Sequence, residues 1–241
     1  MRAQLIGLLL LLMAGAAQSE KITAVADPWP PFVDPELQSQ GISLEIVRAA
    51  YATQGYEIDM DFVPWARALA GVKQGVYDII PNAWRTTERE ASFYFSKPYV
   101  TSNIRFIKRK GDPFEYTGPR ALDGKVVGIT RGYAYNDVFA KAENFERSEA
   151  SDLQQNVRKL LLNRIELTLD DELVAKTLLS RQAPQLLSQI EFVDQPLALA
   201  ELHVISGRAN PRHQELIDAF NRGLAKITVN GTLGAILQDL E

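Results

Sequence analysis

Strand and helix patterns alternate along this chain in two successive series, and this alternation limits the fold more than any other feature. Strands are predicted over residues 22–26, 57–63, 77–81, 126–130, 165–169, 190–193 and 202–206. Helices are predicted over residues 43–55, 65–75, 138–142, 156–162 and 172–179, with two more between 211 and 240. Such alternation is typical of helices packed on a mostly parallel sheet, so we predict two α/β units of about 100 residues each.

The two units are predicted to share one cleft. Strands over residues 103–108 and 197–206 are the natural crossings between them. In open α/β sheets, ligands bind beyond the carboxyl ends of the strands. Two facing sheets would therefore enclose a common site and act as a clamp.

The N-terminal segment has the pattern of a secretory signal. Arg2 precedes an apolar stretch over residues 5–14, and Ala17-Gln18-Ser19 offers a small-x-small cleavage site. The apolar stretch is shorter than the ~20 residues that span a bilayer. We predict a signal peptide over residues 1–19, a mature chain that starts near Glu20, and a periplasmic location.

Composition excludes several other classes. The chain has no cysteine, which excludes both a lipid-modified cysteine after the cleavage site and a disulfide. Its formal net charge of −4 gives no electrostatic footprint for nucleic acid or an anionic membrane. The 46% share of hydrophobic residues is that of an ordinary globular protein. We expect a soluble monomer.

Arg89 is the leading candidate for anion binding. It closes the segment Thr86-Thr87-Glu88-Arg89, just past the strand predicted over residues 77–81. A guanidinium there can hold a carboxylate with two parallel hydrogen bonds. The alternative is a surface arginine at the start of a helix.

Two motifs connect the sequence to a known family. Thr86-Thr87-Glu88-Arg89 and the following Phe95-Ser96-Lys97-Pro98-Tyr99 resemble the first-lobe motif of bacterial periplasmic solute-binding proteins of family 3, the polar-amino-acid class. The resemblance implies a two-lobed, type II (Venus-flytrap) α/β fold with a mostly parallel sheet in each lobe. It also implies that Arg89 holds the α-carboxylate of the ligand. The expected lobes are 20–106 with 200–241, and 107–199.

The same register places an acid in the second lobe. Asp171 stands where the family has its ammonium-binding carboxylate, so the resemblance implies a zwitterionic ligand bridged between Arg89 and Asp171. Asp170 competes for that role. Alternatively, Asp171 simply lies near the N-terminus of the next helix, where acids favour the helix dipole.

Aromatic residues replace two hydroxyl anchors of the family. Trp84 stands where a Ser or Thr is common, and Tyr133 with Ala134 replaces a second hydroxyl pair. We expect Trp29, Trp84 and Tyr133 to line the cleft, and Trp65 to pack in the core. The amino-acid assignment is therefore weaker than the clamp.

The predicted function is capture of a small polar solute, an amino acid or a derivative, for an inner-membrane ABC importer. One alternative is a periplasmic sensor subunit that signals to a membrane partner. Another is an enzyme resembling the dehydratases that share this fold, with Glu88 or Glu166 as acid or base. No cofactor, metal site or catalysis is expected, because His203 and His213 have no metal-ligand spacing and no nucleophile motif appears.

Overall fold

A computed structural model describes residues 19–238. The predicted signal segment lies outside the described residues except for Ser19. The strands are β1 Glu20–Ala26, β2 Tyr56–Phe62, β3 Ile80–Trp84, β4 Phe93–Phe95, β5 Val100–Arg109, β6 Val126–Thr130, β7 Glu146–Ala150, β8 Leu167–Asp171, β9 Ile190–Phe192 and β10 Ala198–Gly207. The helices are α1 Ile42–Ala52, α2 Trp65–Lys73, α3 Thr87–Glu90, α4 Asp137–Lys141, α5 Leu153–Leu161, α6 Glu172–Gln182, α7 Pro184–Leu187, α8 His213–Val229 and α9 Thr232–Leu237.

Parallel strands form the outer part of each lobe. In the first lobe, β1 pairs with β2 in parallel, and Ala24 of β1 bridges to Ile79 just before β3. In the second lobe, β6 lies parallel to both β7 and β8. These pairings, with helices packed against them, agree with the predicted two-lobed type II α/β fold.

Two long strands connect the lobes. β10 pairs antiparallel with β3, β4 and β5, and β5 pairs antiparallel with β8 and β9. One hydrogen-bonded path therefore runs through the order β3-β10-β5-β8-β6-β7. Hereafter the first lobe means β1–β4, α1–α3, α8, α9 and their loops, and the second lobe means β6–β9 and α4–α7 with theirs. The residue boundaries expected above stay a prediction.

The C-terminal helix α8 packs tightly on α1 in the first lobe. Gly223 of α8 lies so close to α1 that a Cβ there would be 2.1 Å from the backbone oxygen of Ala50. Leu216 and Phe220, on the same apolar stripe of α8, are fully buried. Across residues 19–238, no helix has both the length and the apolar character needed to span a bilayer.

The start of α1 differs from its prediction. The helix begins at Ile42 and not at residue 43, so Ser43 is buried within its first turn, where its hydroxyl accepts a hydrogen bond from Tyr99 Oη at 3.0 Å. Backbone carbonyls of Pro31 and Phe32 accept from the first helical N–H groups. Gly41 makes this approach possible, because its φ is 98° and a Cβ would lie 2.6 Å from the oxygen of Phe32. The helix end thereby fixes the loop that carries Trp29.

Strand β3 lies later in the chain than predicted. It covers Ile80–Trp84 rather than 77–81, because Asp78 is held beside β1 by hydrogen bonds from the amide and hydroxyl of Thr23 at 2.8 and 2.9 Å. All five residues of β3 are buried. The shift places Asn82 and Trp84 within the strand, on one face, two residues apart.

Candidate ligand site between the two lobes

A small cavity lies between the lobes, behind the carboxyl ends of β1 and β3. Its lining consists of Asp27, Trp29, Trp65, Asn82, Trp84, Arg89 and Tyr133. All three tryptophans of the chain belong to this set. Only Tyr133 comes from the second lobe. The cavity volume is about 20 Å³, which is room for a single water molecule.

Two of the tryptophans form the inner wall. Trp29 follows β1, and its ring stacks on Phe32 with centroids 5.0 Å apart. Trp84 ends β3 and meets the Trp29 ring edge-on at 5.5 Å. Both side chains are at least 95% buried. Both residues, which the sequence analysis expected to line the cleft, line this cavity.

Trp65 lies both in the core of the first lobe and in the cavity wall. It packs against buried residues of the first lobe, including Val25 and Ile80, as expected for a core residue. It also lines the cavity, and its indole Nε1 donates a hydrogen bond to the backbone oxygen of Gly132 in the second lobe at 2.9 Å. The prediction of core packing therefore describes only part of its environment.

Arg89 is buried at the base of the cavity. The side chain of Thr86 caps α3 and accepts from the Arg89 amide, which orients the arginine inward. The guanidinium donates from Nη1 to Trp84 O at 2.8 Å and from Nη2 to Gly132 O at 3.1 Å. Its carbon lies 5.0 Å from the Trp65 ring centroid, within cation–π distance. Arg89 is therefore not a surface residue.

Among residues 19–238, no carboxylate contacts the guanidinium of Arg89 directly. Both of its side-chain hydrogen bonds go to backbone carbonyls. Burial lowers the pKa of Arg89 to about 10, so the side chain stays cationic at neutral pH. A buried cation held by neutral oxygens is a suitable partner for an anion.

The loop after β6 brings the second lobe into the site. Gly132 has a φ of 79°, which turns the chain so that its carbonyl faces Arg89 and Trp65. Tyr133 follows, and its hydroxyl donates to Asp27 Oδ2 at 3.1 Å. Its ring lies edge-on to the rings of Trp65 and Trp84, at 5.8 and 5.5 Å. Tyr133 thus fills the space between the tryptophans.

Two carboxyl groups, that of the partly exposed Asp27 and that of the buried Asp170, flank the aromatic residues. Burial raises the pKa of Asp27 to about 7, against the opposing hydrogen bond from Tyr133. Burial also raises the pKa of Asp170 to about 8, although Asp170 accepts from the Asp171 amide and from Trp29 Nε1, at 2.8 and 3.2 Å. Near neutral pH both carboxyls hold a proton for part of the time, and each can act as donor or acceptor.

Asp171 lies outside the cavity. Its Oδ1 accepts from the Val174 amide at 3.0 Å and caps α6. Its Oδ2 accepts from Ser102 Oγ and the Asn103 amide, at 2.8 and 2.7 Å. The alternative considered above, an acid at a helix N-terminus, is therefore the position that the structure gives to Asp171. Asp170 is the acid that faces the first lobe.

Two polar atoms in the cavity wall have no partner. Within residues 19–238, Asn82 Oδ1 and Trp84 Nε1 are buried without a hydrogen-bond partner. Buried polar groups are normally paired, so this acceptor and this donor are suited to a polar ligand or a water molecule in the cavity. The sequence analysis missed Asn82 and Asp27. Asn82 could have been found from its position two residues before Trp84, because residues at that spacing in a strand lie on the same face.

The acids and histidines considered for catalysis lie away from the cavity. Glu166 accepts from the Val126 amide at 2.8 Å in the second lobe. His203 Nδ1 lies 2.8 Å from Ser96 O, and the ring of His213 stacks on that of Tyr94. Glu88 is exposed on α3. None of these four side chains lines the cavity described above.

Solved structures share this architecture at low sequence identity. A sensor domain of a histidine kinase, described as similar to periplasmic binding proteins, matches with a TM-score of 0.78 and 17% identity over 92% of this chain and 96% of that chain. The amino acid ABC transporter substrate-binding protein AbpA of Streptococcus pneumoniae, bound to L-arginine, matches with a TM-score of 0.72 and 21% identity over 92% and 94%. These likenesses support the fold.

Several named relatives and a family model match the sequence itself. A probable histidine-binding protein of Campylobacter jejuni subsp. jejuni is 24% identical over 83% of this chain and 76% of its own length. The L-cystine-binding protein TcyJ of Escherichia coli K12 is 24% identical over 81% and 72%. The sequence model of the bacterial extracellular solute-binding proteins, family 3, matches residues 22–239.

Proposed function

The chain belongs to the bacterial extracellular solute-binding proteins of family 3, and from that membership we propose that it binds a small carboxylate-bearing solute between its lobes in the periplasm. The solute is an amino acid or a derivative of one, and binding leaves it chemically unchanged. Delivery to an inner-membrane ABC permease is the purpose of this capture. The proposed mature chain begins near Glu20.

One observation carries the proposal: in the described part of the chain, the side-chain hydrogen bonds of the buried Arg89 guanidinium go only to backbone carbonyls. A ligand carboxylate that replaces Gly132 O would supply both charge and bidentate geometry. Thr86, through its cap on α3, and the ring of Trp65 hold the guanidinium ready for it. This arrangement supports the role that the family motif implies for Arg89.

The opposite end of the cavity suits a hydrogen-bond donor on the ligand. Asp27 accepts from Tyr133, and Asp170 accepts from Trp29, so both carboxyls already face the lobe interface. In this proposal Asp170 takes the place that the sequence assigned to Asp171. An ammonium or another donor would favour the ionised form of either carboxyl.

The position of the site suggests that the two lobes close around the ligand. All the lining residues except Tyr133 come from the first lobe, and β5 and β10 are the only long strands that link it to the second in the described part of the chain. Separation of the lobes at these strands would expose Arg89 and the tryptophans. A solute bound to both lobes would stabilise the closed form by its differential affinity.

A ligand screen tests the proposal. Purified protein starting at Glu20 is melted in the presence of amino acids, their amides and their decarboxylated amines. A ligand that binds only the native state raises the melting temperature by mass action. We expect shifts from carboxylates and none from the matching amides. Equal shifts from acids and amides would contradict the assigned role of Arg89.

Import and sensing are distinguished in cells. Deletion of the gene should abolish uptake of the radiolabelled solute if the protein serves a permease. Retained uptake, combined with loss of a transcriptional response to the solute, would instead support a sensor subunit that uses the same lobe closure.

A further inference from the structure

The segment Gly132–Tyr133 occupies the site as a ligand would. The Gly132 oxygen receives hydrogen bonds from both Arg89 Nη2 and Trp65 Nε1. One residue later, the Tyr133 ring lies between the rings of Trp65 and Trp84, and its hydroxyl donates to Asp27. An oxygen, a flat ring and a donor therefore fill three adjacent positions of the first lobe.

We infer that the ligand is a small carboxylate that carries a planar aromatic ring with a hydrogen-bond donor on it, and that it binds by displacing Tyr133. The inference rests on the proposed function, because it assigns the ligand carboxylate to Arg89. It goes further in two ways. It states that the part of the ligand beyond the carboxylate is an aromatic ring, and it makes Trp65 Nε1 a second hydrogen-bond donor to the carboxylate, beside Arg89.

The first lobe alone provides the aromatic surface for such a ring. Trp29, Trp65 and Trp84 all belong to it, and they remain together if the second lobe moves away with Tyr133. Aromatic rings prefer edge-to-face or offset contacts, and Tyr133 makes edge-on contacts with two of these tryptophans. A ligand ring can therefore adopt the contacts that Tyr133 gives up.

The small volume of this cavity supports displacement of Tyr133. With Tyr133 in place the cavity holds about 20 Å³, enough for one water but not for an organic acid. Ligand and Tyr133 consequently compete for the same volume. Removal of the Tyr133 ring should therefore strengthen binding.

The unpartnered wall atoms agree with a polar aromatic ligand. Asn82 Oδ1 needs a donor and Trp84 Nε1 needs an acceptor, and both side chains are 95% buried. Tyr133 reaches Asp27 but leaves these two atoms unpaired. The second oxygen of a ligand carboxylate can accept from Trp84 Nε1, and a further N–H or O–H on the ligand, beside the one that Asp27 accepts, would satisfy Asn82 Oδ1.

An alkylated ammonium is the main competing class, since aromatic cages also bind quaternary ammonium groups. The position occupied by Tyr133 argues against it. Asp27 accepts a hydrogen bond there, and a quaternary ammonium has no N–H or O–H to donate.

Intrinsic tryptophan fluorescence measures the competition directly, because every tryptophan of the chain lines the cavity. Four probes are titrated: 3-(4-hydroxyphenyl)propanoate, 3-phenylpropanoate, 3-cyclohexylpropanoate and N,N,N-trimethylglycine. We expect the hydroxyphenyl acid to bind most tightly and the cyclohexyl acid to bind at least tenfold more weakly. Tyr133→Ala should tighten binding of the hydroxyphenyl acid at least threefold. The control Tyr116→Ala, which alters a tyrosine packed on Phe106 of β5, should leave it unchanged.

Each failure has a distinct signature. Equal affinity for the phenyl and cyclohexyl acids, or tightest binding of trimethylglycine, would overturn the aromatic-ligand inference while Arg89-dependent binding upholds the proposed function. Weaker binding after Tyr133→Ala would overturn displacement. If neither these four acids nor any amino acid binds, the proposed function itself fails.

Discussion

Trp29 Nε1 donates a hydrogen bond to Asp170 Oδ1 at 3.2 Å, and this contact joins the two lobes through an acid that is only 2% exposed. The ionised form of Asp170 is disfavoured there, chiefly because burial removes it from water. The hydrogen bond from Trp29 opposes this effect but is outweighed by burial, so we expect the stability of the closed arrangement to vary with the protonation of Asp170. Asp27, which Tyr133 contacts from the other lobe, has the same property.

Stability should fall as the pH rises from about 5 to 8. The pKa of Asp170 rises from 3.8 to about 8 in the folded protein, and that of Asp27 to about 7. Between the unfolded and folded pKa values the folded state binds more protons, so raising the pH lowers the free energy of unfolding. Asp170→Asn should flatten this dependence. The measurement is the melting temperature at pH 5, 6, 7 and 8.

The exposed Asp59 provides the control for this pH series. Asp59→Asn should keep the wild-type slope. A change of about 1 kcal/mol shifts the melting temperature of a protein this size by about 2–4 °C, which is measurable. An Asp170→Asn slope identical to wild type would show that Asp170 does not couple protonation to the fold.

Arg89→Lys should weaken binding of the cognate carboxylate by about 2–5 kcal/mol while the fold stays intact. Lysine keeps the charge but cannot form two parallel hydrogen bonds. Titration calorimetry gives the affinity, and circular dichroism checks the fold. The matched control is Arg85→Lys, since Arg85 lies four residues earlier, on the surface, in an ion pair with Glu90 at 2.5 Å. A loss under tenfold at Arg89 would remove it from the site.

Asp171→Ala should affect stability more than binding. Its carboxylate caps α6 and accepts from Ser102 and Asn103, so its removal should cost at least the 0.5–2 kcal/mol, roughly, of a lost helix cap. Ligand affinity should stay within about threefold of wild type. Urea unfolding and calorimetry separate the two effects. A tenfold loss of affinity with unchanged stability would restore the ammonium-binding role implied by the family register.

The contrast between Asp170 and Asp171 shows where sequence reasoning ends. The family register pointed to Asp171, with Asp170 as its competitor, and the structure places both residues at the end of β8. The register could not determine which of the two faces the cleft, because consecutive strand residues point to opposite faces and the helix begins at the next residue. One carboxylate was required as the helix cap, and only the three-dimensional path of the chain shows which one.

How well a strand could be predicted depended on how apolar its sequence is. The apolar run of β6 made its prediction match Val126–Thr130. The edge strand β7, Glu146–Ala150, is largely polar and has no apolar alternation, so it was missed. The family motif pointed to Arg89, which lines the cavity, and its role in binding stays a prediction. The hydrogen bond that Trp65 Nε1 donates in the site was not predicted, because the same indole also packs in the core, which was the position expected for it.

Gly223→Ala should destabilise the first lobe. The new methyl group would lie 2.1 Å from the Ala50 oxygen, so α8 and α1 must separate. Overpacking of this kind costs about 1–3 kcal/mol, and a backbone obstacle cannot rotate away. Gly234→Ala, with nothing within 4 Å of its Cβ, is the control on α9. Urea unfolding should show a lower midpoint for Gly223→Ala alone; equal midpoints would contradict the close packing of α8 on α1.

The rim of the cleft allows closure to be tested apart from ligand contacts. Arg181 on α6 pairs with the buried Asp34 of the first lobe at 2.5 Å, away from the cavity lining. Arg181→Gln should shift the ligand-free protein toward separated lobes and increase its radius of gyration in small-angle scattering. Because Arg181 is 40% exposed, the effect on affinity should be about 1 kcal/mol or less.

Lys176→Gln is the matched control for Arg181→Gln, since Lys176 lies on the same helix but pairs with Glu172 of its own lobe. It should leave both radius and affinity unchanged. Saturating ligand should return Arg181→Gln to the compact form, because a ligand bound to both lobes favours closure in proportion to its differential affinity. A radius that neither the substitution nor the ligand changes would mean that the lobes do not move, and binding would then have to proceed without a hinge at β5 and β10.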